Sequence, residues 1–267
     1  MNVLIAGAGN MGLTYGRSFV HASVVRRDCL HFIDRNEDKA ELIRDISDNP
    51  LHLAPSGFVR NMDLVILSVK PQDFPGLAAQ LRPYLRREQL ALSIMAGITI
   101  AQVQQALGLE RIVRAMPNLP AQIGQGMTVF TTSDKVARKE LFYIQNLLNT
   151  TGKTLYTAEE PMIDAATAVS GSGPAYVYYF MSAMMEAARG MGFNEGEAAL
   201  LVNQTFLGAV DLLRQDTTGC EAWIARVASK GGTTEAALAY FLEQGLRSNI
   251  AGGLEAARRR AVELSKS

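Results

Sequence analysis

Residues 7–12 read Gly7-Ala8-Gly9-Asn10-Met11-Gly12, a G-x-G-x-x-G spacing set between the apolar run Val3-Leu4-Ile5-Ala6 and a helical pattern through Leu13–His21. A dinucleotide pyrophosphate needs this kind of turn. Gly7 makes the sharp bend, Gly9 lets phosphate approach the backbone, and Gly12 allows close packing of helix on strand. The phosphates then meet the N–H groups of a helix that opens on Asn10 and Met11, at the positive end of its dipole. A second apolar run ends at Asp34, 22 residues beyond Gly12, where a carboxylate binds ribose hydroxyls. Asp34 favours NAD, since a 2′-phosphate faces a like charge there. The adjacent Arg35 is able to reverse that preference by pairing with the phosphate. The competing reading is an ordinary strand–turn–helix whose glycines serve packing alone.

Other chemistry-bearing residues gather where apolar runs stop. The run from Leu64 ends in Ser68-Val69-Lys70-Pro71-Gln72, a polar cluster closed by proline, with Lys70 in reach of a ribose or nicotinamide edge. The next runs end in Ala96-Gly97, small enough to admit a flat ring, and in Met116-Pro117-Asn118-Leu119-Pro120. Asn118 offers a carboxamide both donor and acceptor, and a turn role suits it equally. Two further stretches lie later in the chain. Ser170-Gly171-Ser172-Gly173-Pro174-Ala175-Tyr176 interrupts a helical region, with Pro174 placed to restart a helix and Ser172 to cap it. Ser229-Lys230-Gly231-Gly232-Thr233-Thr234 exposes backbone N–H groups ahead of a helix, a cradle for a small carboxylate, with Thr233 or Thr234 as cap. No His or Cys stands where a catalyst would. His21, His31 and His52 lack metal-ligand spacing, so no metal is expected.

The elements that carry these residues change character along the chain. As far as about residue 160, short apolar runs alternate with helical patterns: Val3–Ala6, Leu30–Ile33, Leu64–Val69, Leu90–Ile94 and Arg111–Ala115, with weaker runs at Met127–Phe130 and Thr154–Tyr156. Continuous apolar strands alternating with helices predict a doubly wound parallel sheet covered on both faces. Beyond Glu160 only helices are predicted, over Pro174–Gly190, Glu195–Leu213, Cys220–Val227, Thr234–Phe241 and Arg247–Leu264, with Asn194 capping the second. This predicts a nucleotide-binding domain over 1–160 and a helical domain over 161–267, with substrate between them.

Lys plus Arg and Asp plus Glu number 26 each, so no field of one sign argues for nucleic acid or an anionic membrane. Arg258-Arg259-Arg260 falls late in a helical run, where cations suit the dipole. No apolar segment is long enough for a bilayer, and no secretory leader is read. Cys29 and Cys220 form no CxxC pair, which suits a reduced, cytoplasmic setting.

GAGNMG, VKPQ, RAMPNLP, SGSGPAY and SKGGTTEAAL, in this order over essentially the whole chain, resemble the pyrroline-5-carboxylate reductase family. The resemblance implies a Rossmann domain followed by an all-helical C-terminal dimerisation domain, an intertwined homodimer, and in many members a decamer. It implies reduction of the cyclic imine 1-pyrroline-5-carboxylate to L-proline by NADH or NADPH. It places Ser170, Gly171, Ser172 and Gly173 at the substrate pocket near the dimer core, with Tyr176, Tyr179 and Phe180 at the interface. It puts the substrate carboxylate on the backbone at Thr233 and Thr234, the Thr234 hydroxyl at the ring nitrogen, and Glu160 near the coenzyme. Leu119, Lys230 and Ser182 depart from the family's usual Thr, Pro and acidic residue. Two other readings stay open: a paralogue acting on a different cyclic imino acid, and a dinucleotide-binding protein without turnover.

Overall fold

The computed structural model describes residues 1–215 and 217–265. An eight-stranded sheet is built from β1 (Val3–Ala6), β2 (Leu30–Ile33), β3 (Leu51–His52), β4 (Leu64–Leu67), β5 (Leu90–Ser93), β6 (Arg111–Met116), β7 (Gly126–Thr132) and β8 (Gly152–Tyr156), in the order β3-β2-β1-β4-β5-β6-β7-β8. The helices between strands are α1 (Asn10–His21), α2 (Ala40–Arg44), α3 (Phe74–Leu81), α4 (Ile100–Leu107) and α5 (Arg138–Asn149). Strand order reverses direction between β1 and β4, which opens a crevice at their carboxyl ends.

The unbroken apolar strands are explained by two cores. Along β1, Val3 and Ile5 join a cluster with Tyr15, Phe19 and Ile144, while Leu4 and Ala6 join another with Phe74, Leu81 and Val103. Successive side chains point to opposite faces, and helices cover both. Each such Leu or Ile contributes roughly 1.5–3 kcal/mol by leaving water.

All seven predicted strands are present. Two features differ from the sequence expectation. β7 runs antiparallel to β6, because the link between them is a single short turn over Leu119–Ile123 ending at Gly124, too brief for the helical crossover a parallel pair requires. β3 was not predicted, since two residues carry no period. It extends the edge beside β2, where His52 stacks on Phe58 at 3.9 Å and on His31 at 5.8 Å.

The helical part holds α6 (Pro161–Ala166), α7 (Gly173–Gly190), α8 (Glu195–Gln215), α9 (Cys220–Val227), α10 (Thr233–Glu243) and α11 (Leu246–Leu264). Asn194 caps α8 as predicted: its Oδ1 accepts from the Glu197 N–H at 3.0 Å, and Glu197 accepts from the Asn194 N–H at 2.9 Å. The chain divides into one compact unit over Met1–Pro174 with Ala256–Ser267 and a second over Ala175–Glu255. The sequence division at 160/161 follows the change from strands to helices. Compactness instead keeps α6 and the end of α11 with the sheet, because both pack there. Arg114 of β6 pairs with Asp164 of α6, and Gln102 Nε2 of α4 donates to the Ser265 carbonyl. In the second unit α7, α9 and α10 bury no residue, and Met191 (79 %), Tyr179 (76 %) and Leu242 (73 %) lie open. Among the described residues no helix is long and apolar enough to cross a membrane.

Candidate active site

Gly7 leaves β1 with φ +104°, and a Cβ there would meet the Ser68 carbonyl oxygen at 2.5 Å. A Cβ on Gly12 would stand 2.0 Å from the Gly7 carbonyl oxygen, whereas the same position on Gly9 is open space. The three roles read from spacing thus separate physically: turn, open approach and packing. Gly9 is the cap residue of α1 and carries no side chain to satisfy the first N–H groups. The amides of Asn10, Met11 and Gly12 begin the helix without intrahelical carbonyls, a ready anion cradle. The side chains of Asn10 and Met11 do not line the adjoining cleft.

That cleft, about 460 Å³, is lined by Gly7, Gly9, Asp34, Arg35, Ser68, Val69 and Lys70, together with Lys39 and Asp73. Pro71 starts the turn over Pro71–Asp73 that ends the β4 segment and does not itself face the cleft. Asp34 is engaged on three sides. Its Oδ2 accepts from the Ala8 N–H at 2.8 Å and from Lys39 Nζ at 2.7 Å, and its Oδ1 accepts from the Asn36 N–H at 2.9 Å. Burial pushes this carboxyl up, but Lys39 and the amides of Asn36 and Ala8 outweigh it and hold it below the ordinary carboxylate range. Asp34 therefore braces the glycine turn as well as facing the cleft. Arg35 is 83 % exposed at the mouth, 3.3 Å from Asp73.

The remaining strand-end residues are placed differently from expectation. Asn118 does not line the cleft. Its Nδ2 donates to the Ser170 carbonyl at 3.0 Å, and its Oδ1 accepts from the Met127 N–H at 2.9 Å. The carboxamide expected to greet a nicotinamide is taken up by the protein's own backbone. Ala96 also lies off the cleft, and the space beside Gly97 is closed by the chain itself, with Leu264 Cβ 2.7 Å from where a Gly97 Cβ would sit. Glu160 is a bridge: its Oε1 accepts from the Ile100 N–H at the start of α4 at 2.8 Å and from Arg114 Nη1 at 3.1 Å. Arg114 Nη2 donates to Asp164 Oδ1 at 2.6 Å, and Arg114 is 1 % exposed. A buried guanidinium is thus held by two carboxylates, Glu160 and Asp164.

The heptad at 170–176 breaks the regular helix only briefly, at Ser172, between a π turn and α7. α6 passes into a π turn over Thr167–Gly171 and then into α7, with Ser172 in helical conformation at φ −84° and ψ −15°. The Ser172 N–H donates five residues back to the Thr167 carbonyl at 2.8 Å. Ser172 is therefore no cap. The wider turn absorbs the proline that a regular helix would reject. Gly171 packs against Met116: a Cβ there would come 2.8 Å from Met116 Cε, the flexible end of that side chain.

In the second unit α10 starts at Thr233, behind Gly231 (φ +74°) and the cap residue Gly232. Neither threonine caps, contrary to expectation. Glu235 folds back instead, accepting from the Gly231 N–H at 2.7 Å. Thr233 and Thr234 occupy the first two helical positions, where N–H groups lack intrahelical partners. Among the described residues nothing is hydrogen-bonded to the Thr234 hydroxyl.

Residues 160–264 match the family described as pyrroline-5-carboxylate reductase dimerisation, and residues 2–97 match NADP oxidoreductase coenzyme F420-dependent. Pyrroline-5-carboxylate reductase 2 of Bacillus subtilis (strain 168) is 32% identical over 263 residues, covering 97% of this chain and 94% of that protein. The chain belongs to the pyrroline-5-carboxylate reductase family. Pyrroline-5-carboxylate reductase of Pseudomonas aeruginosa is 39% identical over 209 residues, covering 78% of this chain and 77% of its own. The structure of a pyrroline-5-carboxylate reductase from Coxiella burnetii superposes with TM-score 0.89 at 30% identity, over 100% of this chain and 99% of that one. That of Plasmodium falciparum with NADP bound gives TM-score 0.87 at 24% identity, a likeness of fold.

For this member of the pyrroline-5-carboxylate reductase family, three structural residues escaped sequence reading: Lys39, Arg114 and Asp164. Arg114 left a signal, a charge inside an apolar strand, and Glu160 and Asp164 lie four apart on what becomes one helix face. A buried arginine demands such carboxylates. The matched dimerisation region shows that the chain self-associates, and α7 and α10 within it leave apolar side chains open.

Proposed function

We infer that this chain reduces 1-pyrroline-5-carboxylate to L-proline, the last step of proline biosynthesis, with NADH or NADPH as reductant. The observation that carries the reading is full-length similarity to pyrroline-5-carboxylate reductases together with an intact glycine cradle at the sheet's switch point. The reduced nicotinamide, when bound, supplies a hydride to the imine carbon. The ring nitrogen takes a proton, so substrate, NAD(P)H and one proton give proline and NAD(P)⁺. The chain's residues hold and orient. The N–H groups of Asn10, Met11 and Gly12 take the pyrophosphate beside Gly7 and Gly9. Asp34 accepts from the adenosine ribose, with Arg35 at the mouth, while Ser68, Val69 and Lys70 face the nicotinamide half. Ser170–Gly173 form a wall of the imino-acid pocket. The N–H groups of Thr233 and Thr234 take the substrate carboxylate, and the Thr234 hydroxyl orients the ring nitrogen. The division of labour at 160/161, an intertwined homodimer, a decamer built from it and a cytoplasmic setting belong to the same reading. The unpaired Cys29 and Cys220 support the last.

Loss of reduced-nicotinamide absorbance on mixing the protein, NADPH or NADH and the five-membered imine tests the reaction. No loss supports a binding protein without turnover. Preference for a six-membered or 2-carboxylate imine supports the paralogue, a reading favoured by Leu119, Ser182 and Lys230. Thr234→Ala is expected to lower kcat about tenfold, the worth of one hydrogen bond to a charged group, with coenzyme Kd unchanged. Unchanged kcat removes Thr234 from the chemistry. Asp34→Ser is expected to raise the NADPH/NADH ratio of kcat/KM about tenfold, since it removes a negative charge and frees Lys39. A constant ratio excludes Asp34 as the selector.

A further inference from the structure

Ser170 is four residues before Pro174, and proline has no N–H. The regular helical bond to the Ser170 carbonyl is therefore missing, at the point where the helix widens into its π turn. Asn118 fills that gap. Its Nδ2 donates to the Ser170 carbonyl at 3.0 Å, and its other arm is tied to the Met127 N–H of β7 at 2.9 Å. The bond spans 52 residues of sequence and links the carboxyl end of β6 to the turn that precedes Gly173. Met116, two residues before Asn118, packs its Cε against Gly171. Arg114, two residues earlier, grips the start of the same helical segment through Glu160 and Asp164. One strand end thus holds α6 and its π turn at three successive levels.

We propose that Asn118 is a positioning residue for the imino acid: by supplying the hydrogen bond that Pro174 cannot, it fixes the π turn at Ser170–Gly173 in register with the β6 strand end. The proposal rests on reading Ser170–Gly173 as a wall of the substrate pocket. A hydrogen bond of this kind sets the direction of the Ser170 peptide and of the backbone behind it. Without it the widened turn has a carbonyl lacking its donor and a helix free to shift its register. Asn118 touches neither reactant and acts through the segment it holds.

The test uses the full-length protein, with steady-state kinetics on 1-pyrroline-5-carboxylate and NADPH, coenzyme Kd, and amide hydrogen exchange over residues 167–172. Asn118→Ala is expected to raise imino-acid KM about tenfold, leave NADPH Kd within about twofold, and speed exchange in the segment. Asn118→Asp keeps the acceptor for Met127 but offers Ser170 no donor. It is expected to match Asn118→Ala, and it carries the test if the alanine variant folds poorly. In a Pro174→Ala background the restored amide serves the Ser170 carbonyl, so the added cost of Asn118→Ala falls to about threefold or less. An equal cost in both backgrounds overturns the proposal. So does a change in coenzyme Kd with imino-acid KM constant, which makes Asn118 a coenzyme contact. Unchanged KM with unchanged exchange overturns the latch alone. The wall is then judged by Gly173→Ala, whose added methyl meets no atom within 4 Å of the protein and disturbs the pocket only. Faster exchange with unchanged kinetics overturns both the proposal and the wall.

Discussion

Gly12→Ala is expected to lower kcat/KM for coenzyme at least a hundredfold and to destabilise the fold by about 1–3 kcal/mol. The new Cβ would stand 2.0 Å from the Gly7 carbonyl oxygen and 3.2 Å from Ile5 Cγ2. Neither can move cheaply. The Gly7 N–H is bound to the Ile33 carbonyl at 2.8 Å, and Ile5 is fully buried in the sheet. Relief comes from pushing α1 away from β1, which carries off the amides that would hold the pyrophosphate. Gly9→Ala is the control, because the added methyl has open space. Coenzyme titration and thermal unfolding of the two variants separate packing from approach: Gly12→Ala loses both stability and affinity, and Gly9→Ala loses affinity alone. Equal behaviour of the two, or an unperturbed Gly12→Ala, contradicts this account of the turn.

Arg114→Met carries the largest expected effect on stability, about 3–5 kcal/mol, or roughly 10 °C in Tm. The guanidinium side chain is 2 % exposed and faces Asp164 at 10 % and Glu160 at 30 %. Methionine fills much of the space but leaves the Asp164 carboxylate buried without its cation. That desolvation is the cost, more than the ion pair lost. Adding Asp164→Asn is expected to recover part of it, since a neutral amide is cheaper to bury than a lone charge. Unfolding at fixed protein concentration measures both variants, as self-association contributes to apparent stability. A change below about 1 kcal/mol is the size of an exposed surface pair and shows the cluster to be of little consequence. Loss of Arg114 also frees Glu160 from β6 and loosens α4 and α6 together, so imino-acid KM rises with the fall in Tm.

What was legible in the sequence was what local chemistry dictates. Gly7, Gly9 and Gly12 announce a phosphate turn because no other residue has the conformational freedom or the absent side chain that such a turn uses. The strands of the sheet read as apolar runs because both faces are buried. Asn194 caps α8 because its side chain reaches only three residues along. The helices of the second unit read by period, and their open apolar faces fit a chain completed by another copy of itself.

Tertiary structure decided the use to which polar side chains are put. Asn118 and Glu160 sit at strand and helix ends, and sequence could equally assign them to a ligand or to the protein. Their partners, Ser170 and Arg114, lie 52 and 46 residues away along the chain. Ser172 has the composition of a cap, yet its backbone is helical and its N–H bonds back to the Thr167 carbonyl. A π turn and a donor from a distant strand end tolerate Pro174 where local rules predict a break. Propensity and spacing act over a few residues, whereas a buried hydrogen bond or ion pair is satisfied by whatever the fold brings within 3 Å or so. The identity of that partner is a property of the packed sheet and helices and cannot be read from the neighbours in sequence.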